Sequence, residues 1–139
     1  MSSEEKHSWI YVVVGVPVAL VYFAFVLSKV PGTDVATIGY VWPMLTAIGV
    51  GTGAGIVLSI MAAIISPREA GKTDVRDKEI NRRGEHVGFY VMSIAAIVPL
   101  GLAMAEAEQF WIANALYLAF VLAALASAVV KIVAYRRGF

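Results

Sequence analysis

Four long apolar stretches constrain this chain more than any other feature, and one strongly charged segment divides them into two pairs. They lie at about 8–27, 40–65, 87–105 and 110–135, and a helix needs about 20 such residues to cross a bilayer. Hydrophobic residues make up 60% of the 139 residues, whereas soluble domains are about 45–50% apolar. The sequence therefore predicts an all-α fold, an integral membrane four-helix bundle that forms a single transmembrane domain over residues 1–139.

The charged residues predict how the bundle is oriented. Segment 66–86 joins two predicted helical hairpins and holds six of the eleven Lys and Arg residues: Arg68, Lys72, Arg76, Lys78, Arg82 and Arg83. With both termini in the cytoplasm, ten of the eleven basic residues face it, and Lys29 alone lies outside. Because basic residues collect on the cytoplasmic side, we expect an N-in, C-in protein of the bacterial or archaeal inner membrane, with segment 66–86 as a cytoplasmic loop.

Small residues recur every four positions in two of the spans. They form one ladder in span two and one in span four: Ala47, Gly51, Gly55, Ser59 and Ala63, then Ala115, Ala119, Ala123 and Ser127. Small residues allow membrane helices to approach closely. One interpretation places span two at the bundle centre against span four. A second packs one of two faces of span two, the ladder or a patch at Gly49 and Gly53 on nearly the opposite side, within the protomer and the other against a second copy; a glycine hinge is a third. Leucine at Gly51 and Gly55 is predicted to disrupt packing.

The sequence offers little reactive chemistry. It contains no cysteine, which excludes disulfides and thiolate sites. With Lys131 placed at the cytoplasmic surface, the predicted membrane interior has no Asp, Glu, Lys, Arg or His, which argues against a proton-coupled transporter. We find no catalytic constellation, metal site or cofactor motif, and the net charge of +1 gives no reason to expect nucleic-acid binding. Asn114 is expected to form a hydrogen bond between helices.

The second half of the charged segment has helical features. Thr73 is a suitable N-cap, and acid precedes base by four residues in Asp74–Lys78 and Glu79–Arg83. The segment is interpreted either as a connector that faces lipid headgroups or as a docking surface. The mixed order of charges favours specific ion pairs, and the candidate contact residues are Asp74, Arg76, Asp77, Ile80, Arg82 and Arg83.

This segment also resembles a known signature. Asp74, Arg76, Asp77 and Ile80 match the D-E-R-D-x-x-I loop of a family of small uncharacterised prokaryotic integral membrane proteins, with Val75 where that family commonly has Glu. The resemblance covers about thirty residues. It implies about four spans, with this loop before the third, and it implies no activity.

Together these features favour a non-enzymatic membrane protein that acts through helix packing and protein contacts. Its expected partners are the lipid bilayer and either a second copy or a different membrane protein, as a homo-oligomer or as an accessory subunit. A channel or transporter for an apolar or neutral solute at an oligomer axis is the main alternative, although the polar residues of the spans are sparse. A membrane enzyme at the cytoplasmic headgroup level is a further alternative.

Overall fold

The computed structural model describes residues 3–32, 34–65 and 75–137, which form α-helices and one short 3-10 helix, Val35–Thr37. The α-helices are α1 (Ser3–Leu27), α2 (Val41–Ile65), α3 (Val75–Ala95), α4 (Ile97–Met104) and α5 (Gln109–Arg137). α3 and α4 follow one another closely and together form one candidate span, so the described residues contain four segments long and apolar enough to cross a membrane. The predicted all-α four-helix bundle with four candidate spans is confirmed.

Span three is interrupted at Ala96, between α3 and α4. Pro99 has no backbone N–H, so it cannot donate the helical hydrogen bond to the carbonyl of Ala95. The N–H of Ala96 still donates to the carbonyl of Met92 (2.8 Å), and the N–H of Leu100 donates to that of Ala96 (3.2 Å). The chain therefore resumes its helix immediately, with a local break caused by the proline.

The turn between α4 and α5 closes the second hairpin. The N–H of Ala107 donates to the carbonyl of Leu102 (2.9 Å), and the N–H of Glu106 donates to that of Ala103 (3.1 Å). This pair of bonds is the Schellman ending, in which glycine usually takes the left-handed position. Here Glu106 takes it, at a φ of 57°. The predicted turn thus forms around a residue that carries a side chain.

α5 is the central helix of the bundle. It packs most extensively against α3 and also against α1 and α4, whereas α2 packs along α1. The expectation that span two lies at the bundle centre against span four is therefore wrong. α3 occupies the small-residue face of α5, and α2 lies at the periphery, where its most apolar stretch contains no buried residue.

The two ends of the bundle differ in chemistry. The start of α1 lies beside the end of α5, because Arg136 pairs with Glu5 at 3.2 Å. We call this the charged end, and it also contains the start of α3 with Arg76, Asp77 and Glu85. The opposite end, which we call the aromatic end, has a core of buried residues with further rings packed on it: Tyr22, Val26, Ile38, Ala47 and Phe110, then Phe23, Tyr40 and Tyr117.

Candidate interaction surfaces

Two glycines of α3 lie against α5. A Cβ atom placed on Gly88 would lie 3.2 Å from Cβ of Ser127 and 3.3 Å from the carbonyl oxygen of Ala123. A Cβ atom on Gly84 would lie 2.6 Å from two carbons of the Lys131 side chain. Both positions are buried. A side chain at position 88 would press on the backbone of α5, whereas one at position 84 would require the flexible Lys131 side chain to move.

The small-residue ladder of α5 lies inside the protomer. Ala119 is buried, and the other three members are partly buried: Ala115, Ala123 and Ser127. Sequence reasoning missed the partner of this ladder, which is the pair Gly84 and Gly88 of α3. Their spacing of four residues, the same as in the two ladders, was the signal that could have identified them.

The small-residue ladder of α2 is buried at its start and becomes exposed toward the end of the helix. Ala47 is buried in the core of the aromatic end, and a Cβ on Gly51 would lie 3.8 Å from Cγ1 of Val18, an ordinary contact. Further along the helix the exposure increases. Gly55 and Ser59 are partly exposed and Ala63 is exposed.

Another side of α2 carries the second glycine pair. Gly49 and Gly53 are exposed, and a Cβ atom on either would have no neighbouring atom within 4 Å among the described residues. This patch has the same spacing as the pair at the α3–α5 seam, but no helix in the part of the chain that the structure describes covers it.

The start of α3 is fastened to the end of α5. The Tyr135 hydroxyl donates a hydrogen bond to the carboxylate of Asp77, which is 6% exposed. The Arg76 guanidinium donates to the carbonyls of Tyr135 (3.2 Å) and Ala134 (3.4 Å). These carbonyls belong to the last turn of α5, where carbonyl groups have no N–H donor within the helix. Ile80 is fully buried beside them, with 0% exposure.

The proposed contact residues of the charged segment therefore separate into two groups. Asp77 and Ile80 face the protein interior, and Arg76 binds the end of α5, although its side chain remains exposed. Arg82 and Arg83 are exposed. Asp74 lies outside the described residues, as does the expected N-cap.

Two further ion pairs lie at the charged end. Lys131 pairs with Glu85 at 2.9 Å, and this joins α5 to α3. Arg82 pairs with Glu79 at 3.0 Å, three residues away on the same helix. α3 is continuous through Gly84, so residues 75–86 form one helix with the first part of span three.

A polar contact lies within the aromatic end. The Tyr22 hydroxyl donates to Oδ1 of Asn114 at 2.6 Å, and Nδ2 of Asn114 donates to the carbonyl of Phe110 at 2.8 Å. The expected hydrogen bond between helices is confirmed for Asn114. The ring of Tyr117 lies 4.9 Å from that of Tyr22 and 5.5 Å from that of Phe23, measured between centroids. Asn114 is 6% exposed, so it helps to hold α1 against α5.

Within residues 3–32, 34–65 and 75–137, no cluster of three or more His, Asp or Glu side chains is arranged to hold a metal ion. Searches against protein families, curated proteins and solved structures found no significant match. The fold therefore defines the class, a small multi-pass membrane protein with four candidate spans.

Proposed function

We propose that this chain is a non-enzymatic component of a membrane complex, which acts by packing its helices against a second membrane polypeptide. The observation that supports this proposal is the outward face of α2. Gly49 and Gly53 lie there with open space above them, on a helix that packs along α1 at the edge of the bundle. The partner is either another copy of the chain or a different membrane protein.

The physical argument rests on what drives helix association in lipid. Lipid tails are as apolar as leucine, so membrane helices associate through close packing, which small residues permit. The protomer itself provides the precedent, since Gly84 and Gly88 allow α3 to pack against Ala123 and Ser127 of α5. A second helix could approach α2 in the same way.

The finer features of the proposal come from charge and resemblance. We place the protein in a bacterial or archaeal inner membrane with both termini and the charged end on the cytoplasmic side, because ten of eleven basic residues then face inward. The resemblance of the segment around Asp77 to small prokaryotic four-span proteins agrees with this assignment. On this view Arg82 and Arg83 face the cytoplasmic leaflet.

The test is the intact mass of the complex after gentle extraction from native membranes. The chain alone has a mass of 14.9 kDa, and we expect a larger complex that contains a second copy or a second polypeptide. Gly49→Leu combined with Gly53→Leu should reduce the complex to the single chain without lowering the thermal stability of the protomer. Ala103→Leu, which places a leucine at another exposed position, is the control.

Two results would overturn the proposal. One is a wild-type chain that emerges alone from its membrane, and the other is a glycine double variant that keeps its full complex. Flux of a neutral solute into liposomes that depends on Gly49 and Gly53 would instead favour the channel or transporter alternative.

A further inference from the structure

Charge is distributed very unevenly between the two ends of the bundle. Among residues whose side chains are described, the aromatic end has one base and three acids: Lys29, then Asp34, Glu106 and Glu108. Among the same residues, the charged end has eight bases and four acids: Lys6, Arg76, Lys78, Arg82, Arg83, Lys131, Arg136 and Arg137, then Glu5, Asp77, Glu79 and Glu85. In the part of the chain that the structure describes, the two ends therefore carry opposite net charge, and the charged end is basic.

The fold makes the surface of the charged end more basic than the order of residues suggests. Asp77 and Glu5 are both 6% exposed, because Asp77 accepts a hydrogen bond from Tyr135 and Glu5 pairs with Arg136. Two of the four acids therefore contribute little to the outer surface. A mixed sequence has folded into a surface on which exposed basic groups predominate.

Two of these basic groups lie directly above an aromatic boundary on α3. Phe89 and Tyr90 are 68% and 55% exposed, and tyrosine is enriched at the headgroup level of membrane proteins. Arg82 precedes Phe89, and Arg83 precedes Tyr90, by seven residues. This spacing places each arginine on the same helix face as its ring, about 10 Å further along the helix.

The surroundings of these arginines suit a phosphate group. The rings of His86 and Tyr90 are perpendicular, with 4.7 Å between their centroids. A polar ring therefore lies between the aromatic boundary and the guanidinium groups. Arginine binds phosphate oxygens through two parallel N–H groups. Long basic side chains can also extend along the helix to bring their charge to the headgroups.

We propose that Arg82 and Arg83 bind the phosphate groups of anionic lipids in the leaflet that surrounds the charged end. This goes beyond the proposed protein contact, since it uses the outer face of α3 rather than α2. Glu79, which pairs with Arg82 at 3.0 Å, competes with lipid phosphate for that guanidinium.

The experiment measures lipid retained by the full chain in detergent. Phosphatidylglycerol or phosphatidylcholine is titrated in, and the bound lipid is counted by native mass spectrometry. The wild type should retain phosphatidylglycerol preferentially. Because a basic residue near an anionic surface contributes about 1 kcal/mol, Arg82→Gln and Arg83→Gln should each weaken that retention about fivefold. Glu79→Gln should strengthen it. Lys29→Gln, at the aromatic end, is the matched control and should leave it unchanged.

Measurements of helical content and particle size check that each variant is folded. Glu79→Gln tests the proposal through a gain of bound phosphatidylglycerol, which misfolding would not produce. Equal retention of both lipids by the wild type would overturn the proposal. So would an equal effect of Lys29→Gln, or no increase with Glu79→Gln. If the two arginine variants released a co-purified acidic protein while keeping their lipid, the surface would instead belong to a protein partner.

Discussion

Two glycine pairs with the same spacing have different positions in this protein. Gly84 and Gly88 of α3 are buried against α5, whereas Gly49 and Gly53 of α2 face outward with no neighbouring atom within 4 Å among the described residues. The first pair holds the protomer together, and we propose that the second holds it to a partner. A four-residue spacing of glycines thus identifies a packing face but does not say which helix covers it.

α3 and α2 differ in the polar contacts that hold them to the rest of the protomer. α3 is fastened to α5 at its start through Arg76 and Asp77, and through the pair between Glu85 and Lys131. These contacts fix its position along α5, so that its glycines meet small residues. α2 has an almost entirely apolar sequence, and its packing on α1 leaves a glycine face open.

The largest expected effect comes from filling the buried glycine position. Gly88→Leu would force a large side chain against Ser127 and Ala123, which already lie within 3.3 Å of a Cβ atom at that position. Overpacking of this kind destabilises a protein by about 3 kcal/mol, and it should push α3 away from α5. The midpoint of thermal unfolding in detergent measures this loss.

Gly53→Leu is the matched comparison for that substitution. It adds the same side chain to a glycine in open space, so the thermal midpoint of the isolated protomer should stay near that of the wild type. If both variants lost equal stability, the distinction between an internal and an external glycine pair would not hold.

An intermediate effect is expected from the polar contact between α1 and α5. Tyr22→Phe removes the donor to Asn114 at 2.6 Å and keeps the ring. Hydrogen bonds between membrane helices contribute about 1 kcal/mol, so the free energy of unfolding should fall by about that amount. Tyr117→Phe keeps the same ring cluster and should have little effect. An equal loss in the two variants would show that the hydrogen bond from Tyr22 to Asn114 does not account for the loss.

The smallest effect is expected at the edge of the α3–α5 seam. Glu85→Gln removes the carboxylate that pairs with Lys131 at 2.9 Å, but the Glu85 side chain is 67% exposed. Exposed ion pairs contribute about 0.5 kcal/mol or less. The free energy of unfolding should fall by that amount at low salt, and the loss should vanish at high salt. A loss comparable to that of Gly88→Leu would mean that this pair, rather than glycine packing, holds the seam.

The sequence was sufficient to predict the helices but not how they pair. The length and hydropathy of each apolar stretch predict a span, since a bilayer requires both. The hydrogen bond of Asn114 was also accessible, because a polar side chain within an apolar span requires a partner. The neighbour of each span was not, because every apolar helix face is equally suited to lipid or to another helix.

The charged segment shows a second limit of sequence reasoning. Arg76, Asp77 and Arg82 follow one another within a single segment, and their order alone suggests one mixed docking surface. In the structure Asp77 is buried against Tyr135, which lies 58 residues away. Only the contact with α5 decides which charges point inward, and that contact cannot be obtained from the spacing within the segment.

The most direct test of the proposed contact is photo-crosslinking at the outward face of α2 in native membranes. A benzophenone-bearing residue in place of Val57, one turn from Gly53 and 55% exposed, would react with whatever covers this face. The same residue in place of Ile94, which is 68% exposed on α3, is the control. The account predicts a discrete protein adduct from position 57, to a second copy or to one other polypeptide, and none from position 94. Lipid adducts alone at both positions would contradict it.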